Sequence, residues 1–341
     1  MAGAYYCLWS GYQPAGPPTL EMPLKLAWFS FVVASLSVAS AYAQNAEYPN
    51  RPIRVVVPFT AGAGSDTSAR FFGDQLSAKL GQPVLVENRP GASGAIGITN
   101  VKNAPADGYT ILLASNSPMT VNPVMMKNLP YDPIKEFKPV YGLIRNANVF
   151  IVPPGSQMRT LADLVVAARE RPLNAGTAAS GYHIVLEWFA SVAGVKFNNI
   201  PYKGGAAVYN DVASGQIDWA VAELAGSARL LKSGRVRALA IADEQRNPEF
   251  PDVPTIRESG FPEFVTYSWN SFYVRAETPD DITSKLANAM REVLMSDSAQ
   301  AFAKTVDTQL MPLGPDEMRK FQLDEYARFR SIAEAAGIGE R

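Results

Sequence analysis

Among 341 residues there is one cysteine and one histidine, and the formal net charge is -1 at pH 7. These scarcities exclude much. No basic excess exists to neutralise a phosphate backbone, so a nucleic-acid partner is not expected. No run of like charge marks an acidic or basic tail. One histidine, a cysteine at position 7 and no tight grouping of acids leave no ligand set for a metal centre. The phosphate-binding GxxxxGK[ST] spacing is missing. So is the dinucleotide frame: from Gly62, Gly64 fits GxGxxG, but residue 67 is threonine. No GxSxG elbow occurs either, since Gly91 to Ala95 read "GASGA". Neither a metal nor an organic cofactor is expected.

Long hydrophobic runs are also scarce. The longest, Leu26 to Val38, covers about 13 residues, too few for a helix to cross a bilayer of ~30 Å. It lies in "MPLKLAWFSFVVASLSVASAYAQ", where Lys25 supplies a positive n-region and Ala41-Tyr42-Ala43 an A-x-A cleavage site. Residues 1–43 therefore read as a leader with a secretory signal, with Met22 the expected true start and cleavage expected after Ala43. Cys7 departs with that leader. The exported chain then has no disulfide and depends on burying its core, which its length permits. Cys7 does not stand at the end of the apolar region, so a free periplasmic protein is expected rather than a lipoprotein.

After residue 44 the grammar is strand, loop, helix. "RPIRVVVPF" is a β-branched strand, "SDTSARFFGDQLSAKLG" a helix stopped at Gly81, "PVLVENR" a strand, "PGASGAIGITNVKNA" a helix opened by glycines, and "GYTILLASNS" a third strand. This βαβαβ order implies a parallel sheet. It restarts at "NVFIVPPG", followed by a helix with Thr160 and Asp163 placed as a capping box. Further strand and helix pairs follow through "LNAGTAASGYHIVLEWFASVAG", "FNNIPYKGGAAVYNDVASGQIDWAVAEL" and "VRALAIAD". Two helices close the chain, the first with Thr278 read as N-cap, Pro279 at N1 and Asp281 at N3. The expected fold is α/β: two lobes around a ligand cleft, joined by crossover strands near residues 143–150 and 266–274. Lobe 1 is assigned to 44–146 plus 268–341, and lobe 2 to 147–267.

Ligands of open α/β sheets bind beyond the carboxyl ends of strands, at helix N-termini. The stretch "FTAGAGSD" occupies such a position, and the candidates there are Phe59, Thr60, Ala61, Gly62, Ala63, Gly64, Ser65 and Asp66. Its glycines permit a tight turn, and its N–H groups and hydroxyls suit an anion that needs donors but no metal, such as a carboxylate. Corresponding positions elsewhere are Ser115 and Asn116, Ala179 to His183 (with Ser180, Gly181 and Tyr182 between), Lys203, Gly204 and Gly205, and Glu223. Trp188 and Trp219 are read as core, and Trp269, on a crossover, as a residue able to line the cleft. His183 leaves open a Ser–His–Asp hydrolase, although a capping or packing role suits a histidine near a helix start better. No catalytic residue is assigned.

Assembled in order, "YPNRPIRVVVPFTAGAGSD", "LGQPVLVENRPGASGAIG", "PADGYTILLAS", "IPYKGGAAVYNDVASGQID" and "PDVPTIRESGFPEF" strongly resemble the Bug (TctC-like) family, the periplasmic solute-binding proteins of tripartite tricarboxylate transporters. The resemblance implies a type II periplasmic-binding-protein fold and a non-enzymatic receptor. Such a receptor captures a small carboxylate, whether a di- or tricarboxylate or an aromatic acid. It delivers that ligand to membrane permease subunits and acts as a monomer in the periplasm. It also implies that the first strand-to-helix loop holds the carboxylate together with the helix N-terminus at Ala179 to His183. The sequence departs from the family pattern at Ala63, which replaces a glycine, and at Gly181, which replaces a common serine. At Tyr182 a ring is added, pointing toward an aromatic or longer acid. Two other readings stay open: a periplasmic hydrolase using His183, and a ligand sensor for a signalling partner.

Overall fold

The computed structural model describes residues 47–338. The proposed start at Met22 and cleavage after Ala43 lie outside them. The apolar run at the head of the described chain forms strand β1 (Ile53–Val57), in which Ile53, Val55, Val56 and Val57 are fully buried. A strand buried on both faces belongs inside a parallel sheet covered by helices. Helix α1 (Gly64–Leu80) crosses over and stops at Gly81, whose φ of 67° is the left-handed cap that glycine adopts without strain. Strand β2 (Val84–Asn88) pairs with β1 in parallel. After helix α2 (Ala95–Lys102), strand β3 (Thr110–Ser115) pairs with its other side. Beyond β3 a π-helical turn, Ser117–Val121, runs into the short α3 (Asn122–Met125).

Strand β4 (Phe137–Val152) is long and continuous, starting earlier than its sequence pattern suggests. The second parallel unit follows as α4 (Leu161–Glu170), β5 (Leu173–Thr177), α5 (Ser180–Ala193), β6 (Phe197–Pro201), α6 (Gly205–Ala213), β7 (Trp219–Glu223), α7 (Leu224–Lys232) and β8 (Arg237–Ile241). Strand β9 (Tyr267–Arg275) then returns to the first unit. It is followed by α8 (Asp280–Leu294), α9 (Asp297–Thr305), β10 (Gln309–Leu310) and α10 (Pro315–Ala336). The strand order is β2-β1-β3-β9-β4-β7-β5-β6, with β8 and β10 also paired to β4. The first part of β4 pairs antiparallel with β9, and Asn148 to Val152 pair with β7 and β8. A single strand thus serves both α/β halves.

Each half has its own core. On one side Phe72 and Leu76 of α1 meet Phe272 of β9 and Leu286 and Met290 of α8. On the other, Phe150, Phe189, Trp219 and Phe264 form an aromatic cluster, with Phe150 and Phe189 ring centroids 4.9 Å apart edge to face. The capping box forms as its spacing predicts: Asp163 N–H donates to Thr160 Oγ1 at 3.2 Å, and Thr160 N–H donates to Asp163 at 2.9 Å. The expected cap at Thr278 does not form. Helix α8 begins one residue later, with Pro279 at the N-cap and no capping side chain. Thr278 instead closes a turn onto the Arg275 carbonyl, while Asp280 is drawn to Lys138 at 2.6 Å. Helix α9 carries no signal read from the sequence; its N-cap is Ser296, which accepts from Ala299 N–H.

Candidate functional site

The chain leaves β1 through Pro58 and Phe59 into a loop whose residues Thr60, Ala61, Gly62 and Gly64 are exposed. A loop of small residues needs something to hold its shape, and here that is Asp66. Its side chain, 3% exposed in the first turn of α1, accepts from Gly62 N–H at 2.8 Å, Asn88 Nδ2 at 2.9 Å and Arg70 Nε at 3.1 Å. Burial alone would raise this carboxyl group's pKa, but the bonds from Arg70, Gly62 and Asn88 outweigh it and hold the group below its ordinary value. Asp66 therefore fastens the loop from behind. Gly62 itself has a φ of +80°, so the turn that presents its N–H to Asp66 suits glycine. Phe59 packs on the core around β1 and α1, and its carbonyl accepts from Asn88.

The open side of the loop faces the other half of the molecule. A Cβ added at Gly204 would lie 3.9 Å from Thr60 Oγ1, and one at Gly64 would lie 3.3 Å from Glu223 Oε2. Ser65 Oγ donates to Asn270 Oδ1 at 3.0 Å, and Asn270 lies opposite Ser115 in the register of β9 and β3. Glu223, at the carboxyl end of β7, accepts through Oε1 from Asn146 Nδ2 at 2.7 Å and Ser268 Oγ at 2.9 Å. Burial raises its pKa above the usual carboxylate range, against those two bonds. The neighbouring phenols of Tyr182 and Tyr209 are raised too, first by burial and then by the charge of Glu223. The Tyr209 hydroxyl sits so close to Gly205 and Gly226 that a Cβ at either would lie 3.0 or 2.7 Å from it. The predicted glycine at 205 thus has a packing reason to lack a side chain.

The second predicted anchor, the start of α5, meets the segment after β3. Gly181 N–H donates to Ser117 Oγ at 3.1 Å, and Ser180 Oγ donates to Asn122 Oδ1 at 2.6 Å. A Cβ at Gly181 would lie 2.6 Å from Ser117 Oγ and 3.2 Å from the Asn116 amide, so the missing side chain allows this approach. Ala179, Ser180 and His183 also line a cavity of about 320 Å³, with Met125, Met126 and Tyr202 on other walls. His183 Nε2 lies 3.2 Å from Glu187 Oε1, one turn along its own helix. Lys203 is exposed.

Trp269 corrects the sequence reading. It is 1% exposed, with its ring edge to face on Phe321 at 5.8 Å, in the core formed with Val56, Leu112 and Met318. The side chain stands on the face of β9 that packs against α10, where burying a large ring is favourable, rather than on the face toward the cleft. Asn146, Ser268, Asn270, Ser117 and Asn122, all supplied to the site by the structure, were not singled out from the sequence. Their one signal is polar residues interrupting apolar strands, as in "RNANVF" and "YSWNSF". Together the loop, the two helix starts and the strand-borne amides and hydroxyls form a surface rich in neutral donors around one carboxylate.

Residues 68–338 match the family model for the tripartite tricarboxylate transporter family receptor. Protein BugT of Bordetella pertussis is 32% identical over 93% of this chain and 99% of its own length. Among solved structures, R. palustris Rpa4515 with adipate is 33% identical with a TM-score of 0.82, covering 86% of this chain and all of that one. MatC from Rhodopseudomonas palustris with bound malate is 26% identical with a TM-score of 0.79, over 84% and 99% of the two chains. The two-lobed architecture is that of the periplasmic binding proteins. The chain belongs to the tripartite tricarboxylate transporter receptor family.

Proposed function

We propose that this chain captures a small carboxylate, a di- or tricarboxylate or an aromatic acid, between the Thr60–Ser65 loop and the opposing half of the molecule. The observation that carries this reading is the loop itself. It is exposed toward the site, braced from behind by Asp66, and ends at the N-terminus of α1, where the helix dipole favours an anion. Relatives with adipate and malate support the ligand class. The receptor then works in the periplasm, as a monomer, and passes its ligand to the permease subunits of a tripartite transporter. The lobes divide near residues 146–148 and 266–268, where Asn148 N–H bonds to the Thr266 carbonyl and Thr266 N–H to that of Ala242. This joint is short enough to act as a hinge on closure. The hydrolase reading gains no support: the His183 ring bonds to Glu187 on its own helix, not to a serine.

A thermal-shift panel tests the proposal, using citrate, C4 to C6 dicarboxylates, glutamate, nicotinate and terephthalate on ligand-stripped protein. A true ligand at ~100 times its dissociation constant adds about 2.7 kcal/mol to the folded state. No shift with any acid would refute the carboxylate reading. Turnover of a generic ester that disappears on His183→Ala would replace it with the hydrolase.

A further inference from the structure

Glu223 is out of place in a site meant for an anion. Its Oε1 is spoken for by Asn146 and Ser268. Its Oε2 points across to the first turn of α1, within 3.3 Å of where a Cβ on Gly64 would stand. No lysine, arginine or histidine forms an ion pair with it among the described residues. The titratable groups that face it, Tyr182 and Tyr209, are neutral phenols. A ligand carboxylate received at the Thr60–Ser65 loop would therefore lie beside a second negative charge, on the strand end opposite. Like charges brought together with little water between them repel strongly. A ligand removes that conflict by carrying its own cation next to its carboxylate.

We propose that Glu223 sets the specificity of this site, selecting an amino-bearing acid, whose ammonium bonds to Oε2 while its carboxylate takes the loop, over the same carbon skeleton without nitrogen. The inference rests on the carboxylate reading above and narrows it. An ammonium suits this place for a geometric reason as well. Oε1 is fixed by two donors on strands β4 and β9, which sets the direction of Oε2, toward the first turn of α1. The ring of Tyr209, wedged between Gly205 and Gly226, bounds the same region with an uncharged wall.

Calorimetric titration with matched pairs tests this directly: glutamate against glutarate, and 2-aminoadipate against adipate. In the unaltered protein the amino member should bind at least about tenfold more tightly. Glu223→Gln keeps the shape and an acceptor for Asn146 and Ser268, but removes the charge. It should weaken the amino acids and tighten the plain diacids, so that the ratio falls about tenfold or inverts. Diacids that bind as tightly as their amino partners in the unaltered protein would overturn the proposal while leaving the carboxylate reading intact. So would a ratio that Glu223→Gln does not move. Diacid binding that strengthens only in acid would also overturn it, in favour of a protonated Glu223 donating to the ligand. Failure of every acid to bind would overturn both readings. The comparison in the unaltered protein decides the matter even if the variant does not fold.

Discussion

Replacing Asp66 with alanine removes the group that shapes the binding loop, and its cost can be worked out bond by bond. Three donors lose their acceptor: Gly62 N–H at 2.8 Å, Asn88 Nδ2 at 2.9 Å and the Arg70 guanidinium at 3.0 Å. The Arg70 side chain is 52% exposed, so water takes over its contact and that ion pair counts for little. The other two are charge-assisted bonds to a carboxylate that is 3% exposed, and such bonds contribute about 1.5–3 kcal/mol each. Because Gly62 is exposed, part of its loss is also recovered by solvent, and a total near 3 kcal/mol is expected for Asp66→Ala. Guanidinium unfolding curves measure it, and ligand affinity should fall as well because the loop is no longer held. Acid gives an independent check. The folded-state pKa of Asp66 is depressed below its unfolded value, so its contribution is complete above about pH 4 and is lost as pH falls through the lower, folded value. The difference in stability between parent and variant should therefore be flat from pH 5 to 7 and shrink below pH 4. A loss under about 0.5 kcal/mol at pH 7, or a difference that persists unchanged at pH 2, would refute this account of the loop.

Two further substitutions probe the site and its frame. Gly181→Ser places a side chain against Ser117 and Asn116 and should destabilise the protein by about 1–3 kcal/mol in denaturant titration; adding Ser117→Gly should recover part of that loss, and no recovery would show that the clash lies elsewhere. Thr160→Ala removes an observed N-cap bond and should cost about 1 kcal/mol without changing ligand affinity, since α4 supplies no residue to the site.

What could be read in the sequence, and what could not, follows from how local each cause is. The β-branched run of β1, the glycine that stops α1 and the Thr160–Asp163 capping box are decided within a few residues, and each forms as its pattern requires. The parallel pairing within each unit follows from short strand–helix repeats. Thr278 misled because a cap needs backbone geometry as well as residue type: its N–H closes a turn onto the Arg275 carbonyl, and the N-cap position falls to Pro279. Trp269 misled because alternation along a crossover strand does not say which face turns to the cleft and which to α10. Asp66 was legible as a member of the loop, but its partner Asn88 comes from a neighbouring strand and reverses its role from contact to brace. The surroundings of Glu223 were the least legible part. Asn146 and Ser268 lie 77 and 45 positions away in sequence and meet it only because the chain crosses between the halves there.

The central claim is that a carboxylate is received by the Thr60–Ser65 loop. The most direct test is a crystal structure of the protein with whichever acid gives the largest thermal shift. The account predicts carboxylate oxygens within hydrogen-bond reach of the loop's N–H and hydroxyl groups, with Asp66 still bound to Gly62 behind them. An acid seated instead in the cavity beside His183 and Met125, with the loop untouched, would contradict it.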